Sequence, residues 1–456
     1  MTFHLIPVFE FDKLRWTLGD AMEGLLITGS TGTGKSTTSG KTIAHSFLRL
    51  GMGGLVLTCK AEEIRLWQQY AKDTGREDDL IVFTPESGHL FDPIFYEWQA
   101  GGKNIESLIE VFDTLLSIGE KRADSSADRF WSNAVQEQMR VSIRALDLAG
   151  EPISIANMNR LFTSFPTSPG EYETPEWQDT YAGHVIALIR ERQDSLSLEE
   201  WQDLDIITHY ICIKWPAMDD RTRSNIAATW SGLAAKFLFN PMAKIFNSGA
   251  CHFIPEVTTH QGKIIVIGFP LLQYNETGRL VNCMMKLIFQ RAWLRRDVTQ
   301  APNPVFLWVD EAQQFILPKG RDNAFAQVCR GALVATVCLT QNILNISEEL
   351  GETQLGSKTK AFLANLVTKI CHTQSCFDSN TYMANLIGKE LKHLKSTHIG
   401  GGFSQGQQEH LMYRVEPDFF TTLKKPDFSN PVAECLLYQG GKRFGDQPFT
   451  LVQFSR

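Results

Sequence analysis

The chain predicts an α/β fold: a central, mainly parallel sheet interrupted by a large all-α insertion. Three features point there. A glycine-rich loop lies between an apolar strand and a helix, short apolar runs alternate with helical periodicity, and residues 99–249 carry helical periodicity alone. With 456 residues, 43% hydrophobic and 21% charged, the chain can bury a large core without disulfides. Its 44 Lys and Arg against 51 Asp and Glu leave a net charge of −7, so any nucleic-acid contact is confined to a local basic patch. Nine cysteines without a CxxC pair indicate reduced thiols, not a disulfide framework or a zinc site.

In chain order, Gly24–Thr28 reads as the first strand of the sheet, and a helix follows its loop to about Leu50, with Ile43, Phe47 and Leu50 at helical spacing. Gly51, Gly53 and Gly54 end that helix. Leu55–Thr58 and Leu80–Phe83 read as the next strands. Helical stripes then dominate: Ile105, Leu108, Ile109, Phe112, Leu115 and Leu116; Trp131, Val135, Met139, Ile143 and Leu146; Ile226, Trp230, Leu233 and Phe237. Trp131 and Trp230 are expected in the core. Strands resume at Ile264–Ile267, Val305–Val309, Leu333–Leu339 and Leu366–Cys371. Ala433–Tyr438 and Phe449–Phe454 read as a closing hairpin around Gly440-Gly441. The expected organisation is one discontinuous nucleotide-binding domain, 1–98 with 250–456, and an all-α domain at 99–249.

Gly29-Ser30-Thr31-Gly32-Thr33-Gly34-Lys35-Ser36-Thr37 fits a phosphate-binding loop, placed after a strand and before a helix as the chemistry requires. Its backbone N–H groups and the helix N-terminus suit a polyphosphate. Lys35 is expected to reach the β- and γ-phosphates of ATP, and Ser36 to ligate Mg2+. The apolar strand Val305–Val309 runs into Asp310-Glu311. Asp310 is the expected metal-side carboxylate, and Glu311 the group that polarises the attacking water, which makes the chain an ATP hydrolase. Gln341, after the next strand, is placed to contact the γ-phosphate or the water. Arg330, Arg221 and Arg223 are candidate arginine fingers, donated by a neighbouring subunit.

Together, Ser30–Thr37, Val309-Asp310-Glu311-Ala312 and Thr340-Gln341 resemble the FtsK/HerA class of DNA-translocating ATPases. More narrowly, the chain resembles TraD/TraG-type conjugative coupling ATPases of type IV secretion. Lys60-Ala61-Glu62, Phe91-Asp92-Pro93-Ile94, Arg129-Phe130-Trp131 and Leu363-Ala364-Asn365 add support. The resemblance implies a RecA-like P-loop ATPase acting as a hexameric ring around DNA, with a relaxase or membrane-channel partner. The family's N-terminal transmembrane helices have no counterpart here. The chain is therefore expected to be cytoplasmic, without a membrane anchor of its own, and at most peripheral to the inner membrane through partners.

The DNA contact expected from charge is the segment Lys389 to His398, with Lys389, Lys392, His393, Lys395 and His398 leading to Gly400–Gly402 and Phe403. The three lysines recur every three residues, as along one side of a helix. Arg295-Arg296 is a second basic candidate. A DNA translocase is the leading function. The alternative is a nucleotide-switched recruitment platform that docks a nucleoprotein partner without pumping DNA.

Overall fold

The computed structural model describes residues 3–11, 14–118, 126–399 and 403–456. Thirteen strands are found among them. β1 (Pro7–Phe11) and β2 (Leu14–Thr17) form an antiparallel hairpin. The main sheet contains β3 (Leu25–Thr28), β4 (Gly53–Leu57), β5 (Leu80–Phe83), β6 (Ile264–Ile267), β7 (Val305–Val309), β8 (Val334–Thr340) and β9 (Thr368–Cys371). A separate ribbon is made by β10 (Lys389–Ile399) and β11 (Phe403–Tyr413), and β12 (Val432–Gln439) and β13 (Phe449–Ser455) complete the main sheet. Its nine strands lie in the order β13-β12-β9-β3-β8-β7-β4-β6-β5. The run from β9 to β5 is parallel, and β12 and β13 add antiparallel at one end.

Parallel strands are covered on both faces, so they are mostly apolar. β4, β6, β7 and β8 are buried at every position. Successive residues alternate faces. Leu55, Leu57, Ile265, Ile267, Leu307 and Val309 pack toward the insertion helices, through Phe112, Trp230, Phe237 and Phe246. Val56, Ile264, Val266, Phe306 and Trp308 pack the other way, on Ile43 and Phe47 of helix Lys41–Arg49, Trp67 and Tyr70 of helix Ala61–Asp73, and the N-terminal hairpin. Between β5 and β6 the described chain is helical. Its apolar side joins the same cluster as the sheet. Trp230 is fully buried, whereas the Trp131 side chain lies outside the description.

Two elements differ from expectation. The N-terminal hairpin was not foreseen. The basic segment Lys389 to His398 is an extended strand, not a helix: it pairs over eleven positions with Phe403–Tyr413. Gly400–Gly402 lie outside the described residues.

Ionic contacts tie helices Pro93–Ala100 and Ile105–Ser117 to helix Leu271–Arg295 and to the segment after β7. The Glu97 side chain is wholly buried and accepts from Arg291 Nε at 2.9 Å and from Arg295 Nη1 at 2.7 Å. Arg291 and Arg321 both pair with Glu110, while Lys319 and Arg321 reach Asp113. Arg296 donates to the carbonyls of Asn303 and Ala332. Arg295 and Arg296 thus have structural partners within the chain. Glu97→Ala leaves two guanidinium groups facing a buried void, and breaking such a pair costs about 3–5 kcal/mol. A loss of that size is expected in equilibrium denaturation. A loss under about 1 kcal/mol would show that the arginines find other partners.

Candidate nucleotide site

The parallel register brings the carboxyl ends of β3, β8, β7 and β4 to one edge of the sheet. From β3, the chain turns through Gly29–Lys35 into a wide helical turn, Ser36–Gly40, and then helix Lys41–Arg49. Glycine is required at two points of the loop. A Cβ on Gly34 (φ 89°) would meet Pro426 Cγ at 2.8 Å, and one on Gly29 would strike His372 Cβ at 2.6 Å.

Lys35 Nζ folds back onto the loop and donates to the Gly29 carbonyl at 2.6 Å and the Ser30 carbonyl at 3.2 Å. Burial pulls its ammonium below the usual lysine range, against the opposing charges of Glu311 and Asp310. Ser36 Oγ donates to Asp310 Oδ2 at 3.2 Å. Burial, then the Glu311 charge, pushes the Asp310 carboxyl above its ordinary value. This hydroxyl and carboxylate are adjacent hard oxygens, a donor set that fits Mg2+.

Glu311 follows Asp310 in the left-handed region, at φ 48° and ψ 57°, a conformation uncommon for a residue with a side chain. Both of its carboxylate oxygens are engaged. Oε1 accepts from Lys60 Nζ at 3.2 Å and from Gln341 Nε2 at 3.2 Å; Oε2 accepts from Gln313 Nε2 at 2.9 Å. Gln313 is itself held by the Thr340 hydroxyl at 2.9 Å. Burial pushes the Glu311 carboxyl up, but the hydrogen bonds from Gln313 and Gln341 and the Lys60 ammonium outweigh it and hold it below the usual range. Glu63 lies behind, taking the Cys59 and Lys60 N–H groups at 2.7 and 3.3 Å. Burial and the Asp310 charge raise its carboxyl.

His372, just past β9, braces the loop from the side. Its ring is buried, with Nδ1 3.0 Å from the Thr33 carbonyl and Nε2 2.7 Å from Ser39 Oγ. Burial lowers its pKa to about 3, so the ring is neutral, with an Nδ1–H donated to Thr33 and Nε2 accepting from Ser39. The Tyr70 hydroxyl donates to the Ser36 carbonyl at 2.5 Å.

Thus Lys35, Ser36, Asp310, Glu311 and Gln341 meet at one edge. Lys60, Gln313, Tyr70 and His372 join them, and none of these four was singled out for a catalytic or binding role in the sequence. The candidate fingers lie elsewhere. Arg330 precedes β8 and pairs with Glu23, which precedes β3, so it sits at the amino edge of the sheet. β8 spans about 20 Å, putting Arg330 roughly that far from its own chain's loop. Arg223 donates to the Pro216 carbonyl and pairs with Asp220 within the helical layer. On β10, Lys389 lies over the Tyr413 ring and Lys392 pairs with Glu390, on opposite faces of the strand.

No protein-family model matches the chain, and no curated sequence does. Solved structures do match. The unbound bacterial conjugative coupling protein TrwBdeltaN70 aligns with a TM-score of 0.63 at 13% identity, covering 98% of this chain and 89% of that one. The chain has the TrwB fold. This is the RecA-like P-loop architecture expected from the motifs. TrwB with ADP and Mg2+ aligns at 0.60 and 14% identity, over 98% of this chain and 90% of that one, and TrwB with a non-hydrolysable ATP analogue gives the same values.

Lys35 is the cation of the loop, so Lys35→Ala is expected to abolish tight ATP binding in calorimetry. Near-normal affinity would place the nucleotide elsewhere.

Proposed function

We propose that the chain is an ATP-hydrolysing motor that works as a ring, a hexamer, to move or deliver DNA in conjugation-like or mobile-element transfer. The observation that carries this reading is the meeting of Lys35, Ser36, Asp310, Glu311 and Gln341 at the carboxyl edge of a TrwB-like sheet. Lys35 would leave its loop carbonyls for the β- and γ-phosphates of ATP. Ser36 and Asp310 would hold Mg2+, which neutralises phosphate charge when bound. Glu311 would orient and deprotonate a water aimed at the γ-phosphorus, and Gln341 would hold that water or a γ-oxygen. We further propose residues 99–249 as an all-α inserted domain and Arg330 as the trans finger, because the Arg330 side chain is 60% exposed and too far from its own loop. A relaxase or membrane channel is the class of partner we assign to a motor of this type.

The test is ATP turnover with and without single- and double-stranded DNA. Turnover is expected to rise with DNA, and Glu311→Gln to bind ATP but hydrolyse it about 10²-fold more slowly. Nucleotide binding without DNA-stimulated turnover would instead favour the recruitment platform. Arg330→Ala is expected to bind ATP but turn over slowly, and mixing it with Lys35→Ala subunits is expected to recover part of the activity. Unchanged turnover in Arg330→Ala would return Arg330 to a structural pairing with Glu23.

A further inference from the structure

The Glu311 carboxylate is held by donors from three different elements. Lys60 comes from beyond the end of β4, Gln313 from the turn after β7, and Gln341 from the end of β8. A carboxylate has about four lone-pair sites, two on each oxygen. Lys60 and Gln341 fill both sites on Oε1, and Gln313 fills one on Oε2. The two oxygens face different surroundings. Gln313 is buried and tied to the buried Thr340 hydroxyl, so Oε2 is turned toward the protein interior. Oε1 is turned toward the open edge of the sheet, where Lys60 is half exposed. A water arriving from that edge must donate to Oε1, and Oε1 is fully occupied.

The two donors on Oε1 are not equivalent. Gln341 is neutral, and its place is fixed by the register of β8 on β3 and β7. Lys60 carries a charge, and its side chain is 50% exposed, against 13% for Glu311. Its main chain is pinned at the start of helix Ala61–Asp73, where the Cys59 and Lys60 N–H groups both donate to Glu63 Oε2. Among the described residues, Glu311 is the only hydrogen-bond or ion-pair partner of its ammonium. Lys35, across the site, repels that ammonium. A pinned backbone with a half-exposed charged tip can make this contact or release it to water, and release leaves no donor buried without a partner. Of the three donors, Lys60 is the one that can leave.

We propose that Lys60 is a brake on hydrolysis: its ammonium occupies the Glu311 oxygen that faces incoming water, so each turnover requires the Lys60–Glu311 contact to open first. The proposal rests on Glu311 acting on the water, as read above, and adds the group that restrains it. With the contact open, Oε1 takes a proton from the water, and the water oxygen bonds to the γ-phosphorus of ATP. The bond from that phosphorus to the β–γ bridging oxygen breaks, giving ADP and inorganic phosphate, and the proton leaves Oε1 with the phosphate. Lys60 is a positioning residue in this scheme, acting through Glu311.

The experiment uses Lys60→Met, which keeps the length of the side chain and removes the ammonium. Turnover at saturating ATP without DNA is expected to rise roughly 5- to 10-fold, between the worth of an exposed ion pair and that of a hydrogen bond to a charged group, with the Kd of a non-hydrolysable ATP analogue unchanged within about twofold. A merely loosened fold could not route that gain through one carboxylate. Adding Lys60→Met to Glu311→Gln is therefore expected to leave the slow rate of Glu311→Gln as it is. Equal or slower turnover in Lys60→Met, with Glu311→Gln slow, overturns the brake and leaves the motor reading standing. So does a large loss of analogue affinity, which makes Lys60 a phosphate ligand, and so does a gain that survives in the double variant. Wild-type turnover in Glu311→Gln removes the base itself, and the brake falls with it.

Discussion

The parallel register of β3, β8, β7 and β4 is the constraint on which the rest of the structure depends. Parallel neighbours cannot be joined by tight turns, so each needs a crossover, and the crossovers bury both faces of the sheet. The strands become mostly apolar, and most polar chemistry is driven to their carboxyl ends. There the phosphate loop follows β3, Lys60 lies three residues past β4, Asp310-Glu311 follows β7, and Thr340-Gln341 closes β8. A one-residue slip of β7 against β8 would turn its side chains to the opposite face and separate Glu311 from Gln341.

Electrostatics at that edge are closely balanced. Asp310, Glu311 and Glu63 crowd one region of low dielectric, with Lys35 and Lys60 as the counter-charges. Lys35 satisfies its donors on loop carbonyls, and Glu311 satisfies its acceptors on three side chains. Both sets of bonds are the kind a triphosphate would replace, since phosphate oxygens compete for the lysine and for Gln341. The residues that hold the loop do not share this exchange. His372 is neutral and Tyr70 is bonded to main chain, so their contacts do not depend on a bound charge.

The surfaces around the sheet differ. One end adds antiparallel strands, and the connection from β9 to β12 carries the exposed ribbon; the helical layer covers one face of the central strands. The helical layer shares the core of the sheet, whereas the outer part of the ribbon does not.

How much was legible in the sequence follows from how local each signal is. Gly29–Thr37 was readable because glycine conformational freedom and a following helix define a phosphate loop by themselves. Asp310, Glu311 and Gln341 were readable because each closes an apolar strand. The ribbon was misread because Lys389–Ile399 shows no period of two in its apolar residues, and its lysine spacing suggested a helix. His372 could not be found, since it meets Thr33 across 339 positions of chain. The sequence by itself determined the elements and the chemistry of their ends, because periodicity and loop chemistry are local. Only tertiary structure decided that Lys60, Gln313 and Gln341 converge on one carboxylate, because strand order is set by packing between distant segments.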